Sequence, residues 1–241
     1  MKTVLITGAS GGIGSHIAKK FAKQNNKLIL IYNQNKKIIN ELKARFKNCS
    51  IEVFQCDLTN IEQTTAMVEK VIKKYKKIDY LINSAGISKF QQVQDITEKD
   101  YYEMFDTNFK SIVMLTSMVS KHMISEKSGK IINISSIWGV VGASMESLYS
   151  ASKGAINTFT LSLAKELGPS NITVNSICPG LIDTKMNNSL NKEDVKAIVE
   201  STPLARIGKP DDVANLVEFL CSDKADFITG QIITIDGGLT L

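Results

Sequence analysis

Residues 3–14 have the sequence TVLITGASGGIG, and residues 15–23 continue with SHIAKKFAK. The run 3–6 is apolar and contains β-branched side chains, which is typical of a buried strand. The glycines that follow have the spacing G-x-x-x-G-x-G. The pattern of apolar residues after them predicts a helix. This stretch therefore predicts a strand, a tight turn and a helix in direct succession.

A strand, a glycine turn and a helix start together favour the binding of phosphate groups. Glycine lets the backbone come close to a ligand, and the start of a helix offers N–H groups and the positive end of its dipole. A glycine cluster alone is often only a turn, and this spacing differs from the common G-x-G-x-x-G. Its position between the first predicted strand and the first predicted helix favours a dinucleotide site.

Strand-like apolar runs alternate with helical patterns along the whole chain. The runs lack the apolar-polar alternation of half-exposed strands, which indicates burial on both faces. This order predicts an α/β fold, a Rossmann-like doubly wound parallel sheet with helices on both faces. No linker or repeat interrupts it, so we expect a single domain over 1–241. The predicted strands are 3–6, 28–32, 51–55, 79–83, 130–135, 172–177 and 232–235, and the predicted helices are 13–24, 35–47, 60–76, 98–124, 148–167 and 210–221.

The composition narrows the classes of protein to consider. With 43% hydrophobic and 22% charged residues, the chain has the balance of a globular protein, and no apolar run approaches the ~20 residues that span a bilayer. A strand begins by residue 3, so we expect no leader and a cytoplasmic location. The cysteines are scattered and no histidine lies near them, so we expect reduced thiols and no metal site. The net charge of +5 is dispersed, which favours neither a nucleic-acid nor a membrane partner.

The end of the second predicted strand bears on the type of nucleotide. A site for NAD usually has Asp or Glu there, which binds the ribose 2′-hydroxyl. Here residues 33–37 read NQNKK and include no carboxylate. Amides and lysines tolerate or attract a 2′-phosphate, so we predict NADPH (NADP+) rather than NADH, with Asn33 among the binding residues. Against this prediction, no arginine lies in the glycine turn, and Lys36 and Lys37 could be only a solvated helix start.

Tyr149 and Lys153 lie four residues apart in a predicted helix, and Ser136 precedes the tyrosine by thirteen residues. Residues four apart share one face of a helix. An ammonium group close to a phenol favours the phenolate, so we expect Lys153 to lower the pKa of Tyr149 toward working pH. Tyr/Lys pairs with this spacing are also common on helix surfaces without any function.

Several polar or glycine-containing segments follow the ends of predicted strands. They are the glycine turn, Asp57, and residues 83–86, 135–136 and 179–180. Ligands of open parallel α/β sheets bind beyond the carboxyl ends of the strands. The sequence therefore predicts that all these segments meet at one edge of the sheet.

In this order the segments resemble the short-chain dehydrogenase/reductase family over essentially the whole chain. One position departs from the family pattern, since Ser84 stands where the family often has a second asparagine. The matching elements are residues 7–14, Asp57, residues 83–86, Asn108, Ser136, Tyr149 with Lys153, Pro179-Gly180 with Thr184, and residues 236–238.

The resemblance implies roles in ketone reduction for the polar side chains. Tyr149 would be the general acid, and Ser136 would hydrogen-bond the substrate oxygen. Lys153 would bind the nicotinamide ribose and lower the pKa of Tyr149, while Asn108 would support a water in a proton relay. Two assignments have alternatives: Ser135 could face the site instead of Ser136, and Asn108 could be an ordinary helix residue.

The resemblance also implies a set of cofactor-binding residues. Asp57 would contact adenine, Asn83 and Gly86 would line the adenosine side, and Ile182 and Thr184 would hold the nicotinamide carboxamide. Asp57 could instead be a turn or N-cap residue, and Thr184 could merely cap a helix. The full set is Gly8, Ser10, Gly12, Ile13, Gly14, Asn33, Asp57, Leu58, Asn83, Ala85, Gly86, Tyr149, Lys153, Pro179, Gly180, Ile182 and Thr184.

Within the family, residues 203–214 and 228–231 are most similar to bacterial 3-oxoacyl-acyl-carrier-protein reductases. That resemblance implies reduction of a 3-oxoacyl thioester on acyl carrier protein, or on another acidic carrier protein bearing the ketone. Lys127 and Lys130 would receive the acidic carrier. The segment 168–171 lacks an arginine often found there, which argues against carrier recognition.

Trp138, the only tryptophan, favours a different substrate. It follows the catalytic serine as in a related reductase of the 5-aminopentanone-modified lysine of elongation factor P, unless it only packs a loop. Of the two substrates we favour the 3-oxoacyl thioester. A regulator that senses NADP on the same fold is a further alternative, although such proteins usually lose the catalytic tyrosine or lysine. The family commonly forms tetramers, so we expect a homotetramer through 98–124, 148–167 and 239–241.

Overall fold

The computed structural model describes residues 1–187 and 190–241. Within these residues, seven parallel strands form one sheet in the order β3-β2-β1-β4-β5-β6-β7. The strand order reverses between β1 and β4, so the predicted Rossmann-like doubly wound sheet is confirmed. The strands are β1 Thr3–Ile6, β2 Lys27–Tyr32, β3 Ile51–Gln55, β4 Tyr80–Asn83, β5 Gly129–Ile134, β6 Ile172–Pro179 and β7 Ile232–Ile235.

Helices connect the strands and cover both faces of the sheet. The helices are α1 Gly12–Lys23, α2 Lys36–Arg45, α3 Ile61–Tyr75, α4 Glu98–Phe105, α5 Ser111–Glu126, α6 Trp138–Val141, α7 Ser147–Leu167, α8 Lys192–Ser201 and α9 Pro210–Cys221. Buried residues of α1, α2 and α9 form one core, and those of α3, α5 and α7 form the other. No helix in the described part of the chain is long and apolar enough to cross a bilayer.

β1 shows why the strands appear in the sequence as unbroken runs of apolar residues. Val4 and Ile6 belong to the core on one face, while Leu5 belongs to the core on the other. All three side chains are fully buried. Burial of each such aliphatic side chain contributes about 1.5–3 kcal/mol, so a polar residue on either face would weaken the sheet. This burial on both faces produces the layered order of helices, sheet and helices.

The predicted helix 98–124 is interrupted in its middle and is divided into α4 and α5. A π-helical segment, Asp106–Lys110, separates α4 from α5. A π turn adds one residue without ending the helix, so the spacing of apolar residues does not reveal it. The short α6 and the exposed α8 were also absent from the predicted elements. Asn191 accepts a hydrogen bond from the backbone N–H of Asp194 and caps α8, a start signal that the sequence does contain.

Lys127 and Lys130 lie at the wrong edge of the sheet for the predicted contact with a carrier protein. β5 begins at Gly129, so both lysines stand at its amino end, whereas the predicted site lies at the carboxyl ends. Lys130 is also largely buried, and its Nζ donates to the backbone oxygen of Ser222 at 2.6 Å and pairs with Asp226 at 2.5 Å. That prediction is therefore wrong, because the strand direction separates these lysines from the site.

Candidate active site

The glycine turn after β1 is held against the loop after β4. Gly8 has a φ of +60°, and a Cβ there would lie 2.8 Å from the backbone of Ala85. Only glycine adopts this conformation and accepts this approach without strain. Thr7 Oγ1 accepts hydrogen bonds from the backbone N–H groups of Ser84 at 3.0 Å and Ala85 at 3.1 Å. These contacts fix both loops at the point where the strand order reverses.

The start of α1 offers hydrogen-bond donors to an anion. α1 begins at Gly12, its N-cap residue Gly11 makes no side-chain cap, and its first turn contains no acidic residue. The first N–H groups of a helix lack partners within the helix, and the dipole favours negative charge there. Ser10 and Ile13 are half-buried beside this helix start, and Gly14 is buried. The turn therefore fits the pyrophosphate of a dinucleotide.

The residues after β2 lie exposed at the same edge. The Asn33 backbone oxygen accepts a hydrogen bond from the Gln55 side chain at 2.9 Å. The first turn of α2 holds Lys36 and Lys37 and no acidic residue. Cations in the first turn oppose the helix dipole, so these lysines do not stabilise the helix where they stand. They make the edge beyond β2 electropositive.

Asp57 and Leu58 follow β3. The Asp57 carboxylate accepts hydrogen bonds from the backbone N–H of Thr59 at 3.0 Å and from its hydroxyl at 2.8 Å. It therefore forms a local turn. The N-cap of α3 is Asn60, which accepts from the backbone N–H of Gln63, so Asp57 does not cap this helix. Leu58 is half-buried against the core.

Asn83 differs from the other residues assigned to the cofactor. It is fully buried, and its amide donates to Asn133 Oδ1 at 2.9 Å and to Thr116 Oγ1 at 3.2 Å. The side chain thus joins β4, β5 and α5 in the interior. Its side chain therefore cannot contact an adenosine. Such a contact is open only to the Asn83 backbone and to Ala85 and Gly86, which are half-buried in the loop that follows.

Gly86 packs against two predicted catalytic residues. A Cβ at this position would lie 3.2 Å from Asn108 Oδ1 and 3.3 Å from Lys153 Nζ. A larger residue would crowd both polar groups. The loop after β4 therefore brings the predicted cofactor-binding residues next to the predicted catalytic residues.

Asn108 lies fully buried in the π-helical segment. Its amide donates to the backbone oxygen of Ile87 at 2.9 Å and to Ser152 Oγ at 3.0 Å, and its Oδ1 accepts from the Ile87 N–H at 2.8 Å. Ser152, which the sequence did not single out, donates its hydroxyl to the Tyr149 backbone oxygen at 2.7 Å. Asn108 thus ties the loop after β4 to α7, and π-helical turns are frequent at functional sites.

Tyr149 and Ser136 lie together in the wall of a cavity. Both are buried, and the Ser136 hydroxyl accepts from the Trp138 backbone N–H at 3.2 Å and interacts with the Tyr149 hydroxyl. The alternative residue, Ser135, donates its hydroxyl to the backbone oxygen of Lys153 at 3.0 Å. Its hydroxyl therefore holds α7 against the end of β5. The fold brings the hydroxyl of Ser136, rather than that of Ser135, to Tyr149.

Burial determines the pKa of Tyr149 more than the neighbouring lysine does. Removal from water raises the pKa of Tyr149 to about 12, and the Ser136 hydroxyl opposes this only in part. Burial also lowers the pKa of Lys153 to about 8. Lys153 Nζ lies 5.7 Å from the centroid of the Tyr149 ring and donates to the Ile134 backbone oxygen at 3.0 Å. The expected lowering of the Tyr149 pKa toward working pH is therefore wrong in this structure, because desolvation disfavours the charged form of each group and outweighs any lowering by Lys153.

The loop after β6 closes the other side of the cavity. Pro179, Gly180, Ile182 and Thr184 all line it. A Cβ on Gly12 would lie 2.5 Å from Thr184 Cγ2, so this loop touches the start of α1. The residues predicted to hold the nicotinamide carboxamide thus lie between the glycine turn and Tyr149.

The cavity has a volume of about 670 Å³, and apolar side chains such as Phe90 and Leu181 form much of its wall. Trp138 lines it beside Glu146, another lining residue, and burial raises the pKa of the Glu146 carboxyl while the Trp138 side chain opposes that rise. Sequence reasoning did not single out Glu146. Its position three residues before Tyr149, near the start of a predicted helix, is a signal that could have found it, since such residues share a face.

A family model described as enoyl-(acyl carrier protein) reductase matches residues 8–240 of the chain. The chain belongs to the short-chain dehydrogenase/reductase family. It is therefore an oxidoreductase that uses a nicotinamide cofactor, as this family does. The residues at the strand ends described above fit such a cofactor, because they combine a helix start free of acidic residues with a close backbone turn.

Relatives of this oxidoreductase match nearly the whole chain. An uncharacterized oxidoreductase of Bacillus subtilis, YmfI, is 38% identical over 240 residues, which cover 98% of each chain. The 3-oxoacyl-[acyl-carrier-protein] reductase FabG of Thermotoga maritima is 35% identical, with 100% of this chain and 98% of the relative covered. The FabG of Staphylococcus aureus strain Mu50 is also 35% identical, with 99% and 98% covered.

Proposed function

We propose that this short-chain dehydrogenase/reductase reduces a ketone with NADPH, and that Tyr149 is the general acid. The observation that carries the proposal is the buried group of Ser136, Tyr149 and Lys153 between the glycine turn and a cavity of about 670 Å³. NADPH would supply a hydride to the carbonyl carbon. The residues of the chain would bind the carbonyl oxygen and deliver the proton.

The raised pKa of Tyr149 suits this direction of the reaction. A phenol with a pKa of about 12 is protonated at neutral pH, so it is ready to donate a proton. Ser136 would donate a hydrogen bond to the same carbonyl oxygen and hold it within reach of the phenol. As the proton leaves, negative charge develops on Tyr149, and the ammonium of Lys153 near the ring would stabilise that charge.

Lys153 and Asn108 would serve the cofactor and the return of the proton. Lys153 would donate hydrogen bonds to the ribose hydroxyls beside Gly86, against which its Nζ is packed. Asn108 holds the same loop and the backbone around Tyr149 through Ser152. We propose that this buried polar region carries a proton from solvent back to Tyr149.

The preference for NADPH rests on the edge beyond β2. Asn33 and the lysines of the first turn of α2 would surround a 2′-phosphate, and no carboxylate stands among residues 33–37 to repel it. Asp57 and Leu58 would lie on the adenine side. Lys36 and Lys37 are placed where a helix alone would disfavour cations, and this supports a role outside the helix.

A 3-oxoacyl thioester on acyl carrier protein is the substrate we favour. Relatives named as 3-oxoacyl-[acyl-carrier-protein] reductases are 35% identical over the whole chain. The largely apolar cavity suits an acyl chain. Exposed lysines beside the cavity would meet an acidic carrier in place of Lys127 and Lys130: Lys89 follows Ser88, and Lys185 follows Thr184. We also propose a single-domain protomer, a homotetramer and a cytoplasmic location.

A second candidate is reduction of the 5-aminopentanone-modified lysine of elongation factor P. Trp138 supports it, because its side chain lines the cavity and binds Glu146 there, which is more than loop packing. The chemistry at Tyr149 would be the same for either ketone. The two candidates differ in the group that the far part of the cavity must accept.

The test is oxidation of NADPH followed by absorbance, with acetoacetyl-CoA as the 3-oxoacyl thioester and NADH in parallel. Turnover with NADPH that exceeds turnover with NADH supports the proposed substrate and cofactor. Binding of NADPH without turnover of acetoacetyl-CoA would reject the thioester and favour the second candidate. If the protein binds NADPH but reduces neither acetoacetyl-CoA nor elongation factor P bearing the 5-aminopentanone, it is a nucleotide-sensing regulator.

A further inference from the structure

Glu146 is a buried carboxylate in the substrate cavity that the proposed chemistry does not use. Its residue is only 7% exposed and lines the cavity beside Tyr149. The polar side chain that faces it is Trp138, a neutral group that lowers its pKa while burial raises it. None of the ion pairs among the described residues includes it. Buried charges are normally paired, so we expect this carboxylate to bind a cationic partner that the described residues do not supply.

Stabilisation of α7 does not explain Glu146. It is the N-cap residue of α7, where a negative charge is favourable, but its side chain makes no capping hydrogen bond. Instead the carboxylate reaches Trp138 across the cavity wall. The preceding residue, Met145, has a φ of +64°, and its backbone oxygen accepts from the Gln91 N–H at 2.7 Å. Non-glycine residues whose backbone is held at a positive φ often lie next to functional groups.

The charge of the cavity wall has one sign. Glu146 and Asp194 are its carboxylates, and the described lining residues include no lysine, arginine or histidine. Asp194 is exposed on α8, so solvent screens it, whereas Glu146 is buried. A cation that enters the cavity would therefore find its main partner in Glu146.

We propose that Glu146 is a specificity residue that binds a cationic group, such as an ammonium, carried by the ketone substrate. The cation lies a few bonds from the carbonyl, because Glu146 precedes the acid Tyr149 by three residues on the same helix. Trp138 holds the carboxylate and presents an aromatic ring, which itself attracts cations. This inference rests on the proposed ketone reductase function and defines the class of ketone. It also bears on the choice between the two candidates, since an amine-terminated ketone is cationic at neutral pH and a simple acyl chain is not.

A pair of ketones with the same shape tests the charge alone. The first is 5-(trimethylammonio)-2-pentanone, and the second is 6,6-dimethyl-2-heptanone, in which a neutral tert-butyl group replaces the cation. A quaternary ammonium cannot lose a proton or condense with its own ketone. The measured quantity is the ratio of kcat/KM for the cationic ketone to kcat/KM for the neutral one, with NADPH. Glu146 also raises the pKa of Tyr149, and the ratio removes this effect because both ketones use the same acid.

We expect the wild-type protein to prefer the cationic ketone. Glu146→Gln, which keeps the shape and the acceptor for Trp138, should lower the ratio about tenfold, mainly through KM. Asp194→Asn removes the same charge at the exposed position and should lower it by less than about twofold. An unchanged ratio in Glu146→Gln, with both ketones still reduced, would overturn this inference and leave the reductase function intact. If the wild-type protein reduces acetoacetyl-CoA but neither of these two ketones, the inference fails and the reductase function stands. If it binds NADPH and reduces none of the three, the proposed function fails and the inference fails with it.

Discussion

The cofactor half of the site and the substrate half are built from different atoms. The cofactor half comprises residues 7–14 and 83–86, where most contacts involve the backbone: Thr7 Oγ1 accepts hydrogen bonds from two backbone N–H groups, and Gly8 lies against the backbone of Ala85. The substrate half comprises residues 136–149 and 179–187 and presents side chains to a cavity. A backbone site depends on where glycines stand in the chain. A side-chain site depends on which residues the fold brings together, so it changes with single substitutions.

The largest effect is expected in the substrate half. Tyr149→Phe removes the general acid and should lower kcat about 10³-fold, because a positioned acid contributes about 10²–10⁴. The cofactor half is untouched, so the Kd for NADPH, measured by fluorescence titration, should change by less than about threefold. Tyr102→Phe, at an exposed position on α4, is the control and should keep its turnover. Retention of turnover in Tyr149→Phe would remove Tyr149 from the role of acid.

Replacement of two glycines that have a positive φ by alanine separates two losses in the free energy of unfolding: the loss from backbone conformation and the loss from steric contact. Gly8→Ala should lower the free energy of unfolding by about 3 kcal/mol, since it adds a clash with the loop after β4 to the left-handed conformation. Gly142 has a φ of +74° and a ψ of 164°, a region that glycine almost alone adopts, but a Cβ there would meet no neighbouring atom within 4 Å, so Gly142→Ala should lose about 2 kcal/mol from conformation alone. Denaturant unfolding gives both values. Equal losses would mean that the contact between the two loops does not stabilise the cofactor half.

Lys153 lies between the two halves, with its Nζ against Gly86 and near the Tyr149 ring, and its lowered pKa should make the free energy of unfolding depend on pH. Its pKa is about 8 when folded and near 10.5 when unfolded, so the unfolded chain binds more protons between these values. Stability should therefore rise as the pH rises from about 8 to 10, by roughly 2 kcal/mol. Lys153→Met should lack this rise.

The measurement is the difference in unfolding free energy between wild type and Lys153→Met across that pH range. Burial raises the pKa of each cysteine, and those groups oppose the rise, but they are present in both proteins and cancel in the difference. The raised pKa of Tyr149 affects stability only above pH 10. A difference that stays flat from pH 8 to 10 would show that Lys153 is not desolvated as its position indicates.

The smallest effect is expected at the outer edge of the cofactor half. Replacement of Lys36 and Lys37 together by Glu should lower the preference for NADPH over NADH about tenfold in kcat/KM, because the 2′-phosphate loses two cations. Lys43→Glu, exposed in the last turn of the same helix, is the control and should leave the preference near the wild-type value. A similar change in both variants would mean that only the total charge of α2 matters.

The difference between the halves also explains which expectations held. The parallel sheet and the grouping of its strand ends followed from apolar runs and glycine spacing, which are local properties of the chain. The contact of Lys127 and Lys130 with a carrier was wrong although the sequence contained the reason: the predicted strand 130–135 begins at Lys130, which places both lysines at its amino end, and the structure confirms this position. The lowering of the Tyr149 pKa was also wrong, because helix spacing brings two residues together without revealing how much water both have lost.

The sequence by itself determined the α/β class, the parallel arrangement of the strands through its repeated β-α pattern, and the family to which the reductase belongs. These follow from hydrophobic periodicity and from glycines that no other residue can replace. Only the tertiary structure decided that Ser136 rather than Ser135 meets Tyr149, that a π-helical turn carries Asn108, and that Glu146 lies buried in the cavity. Those facts depend on the packing of α7 against the ends of β5 and β6. Burial and direction in space arise only when distant segments come together.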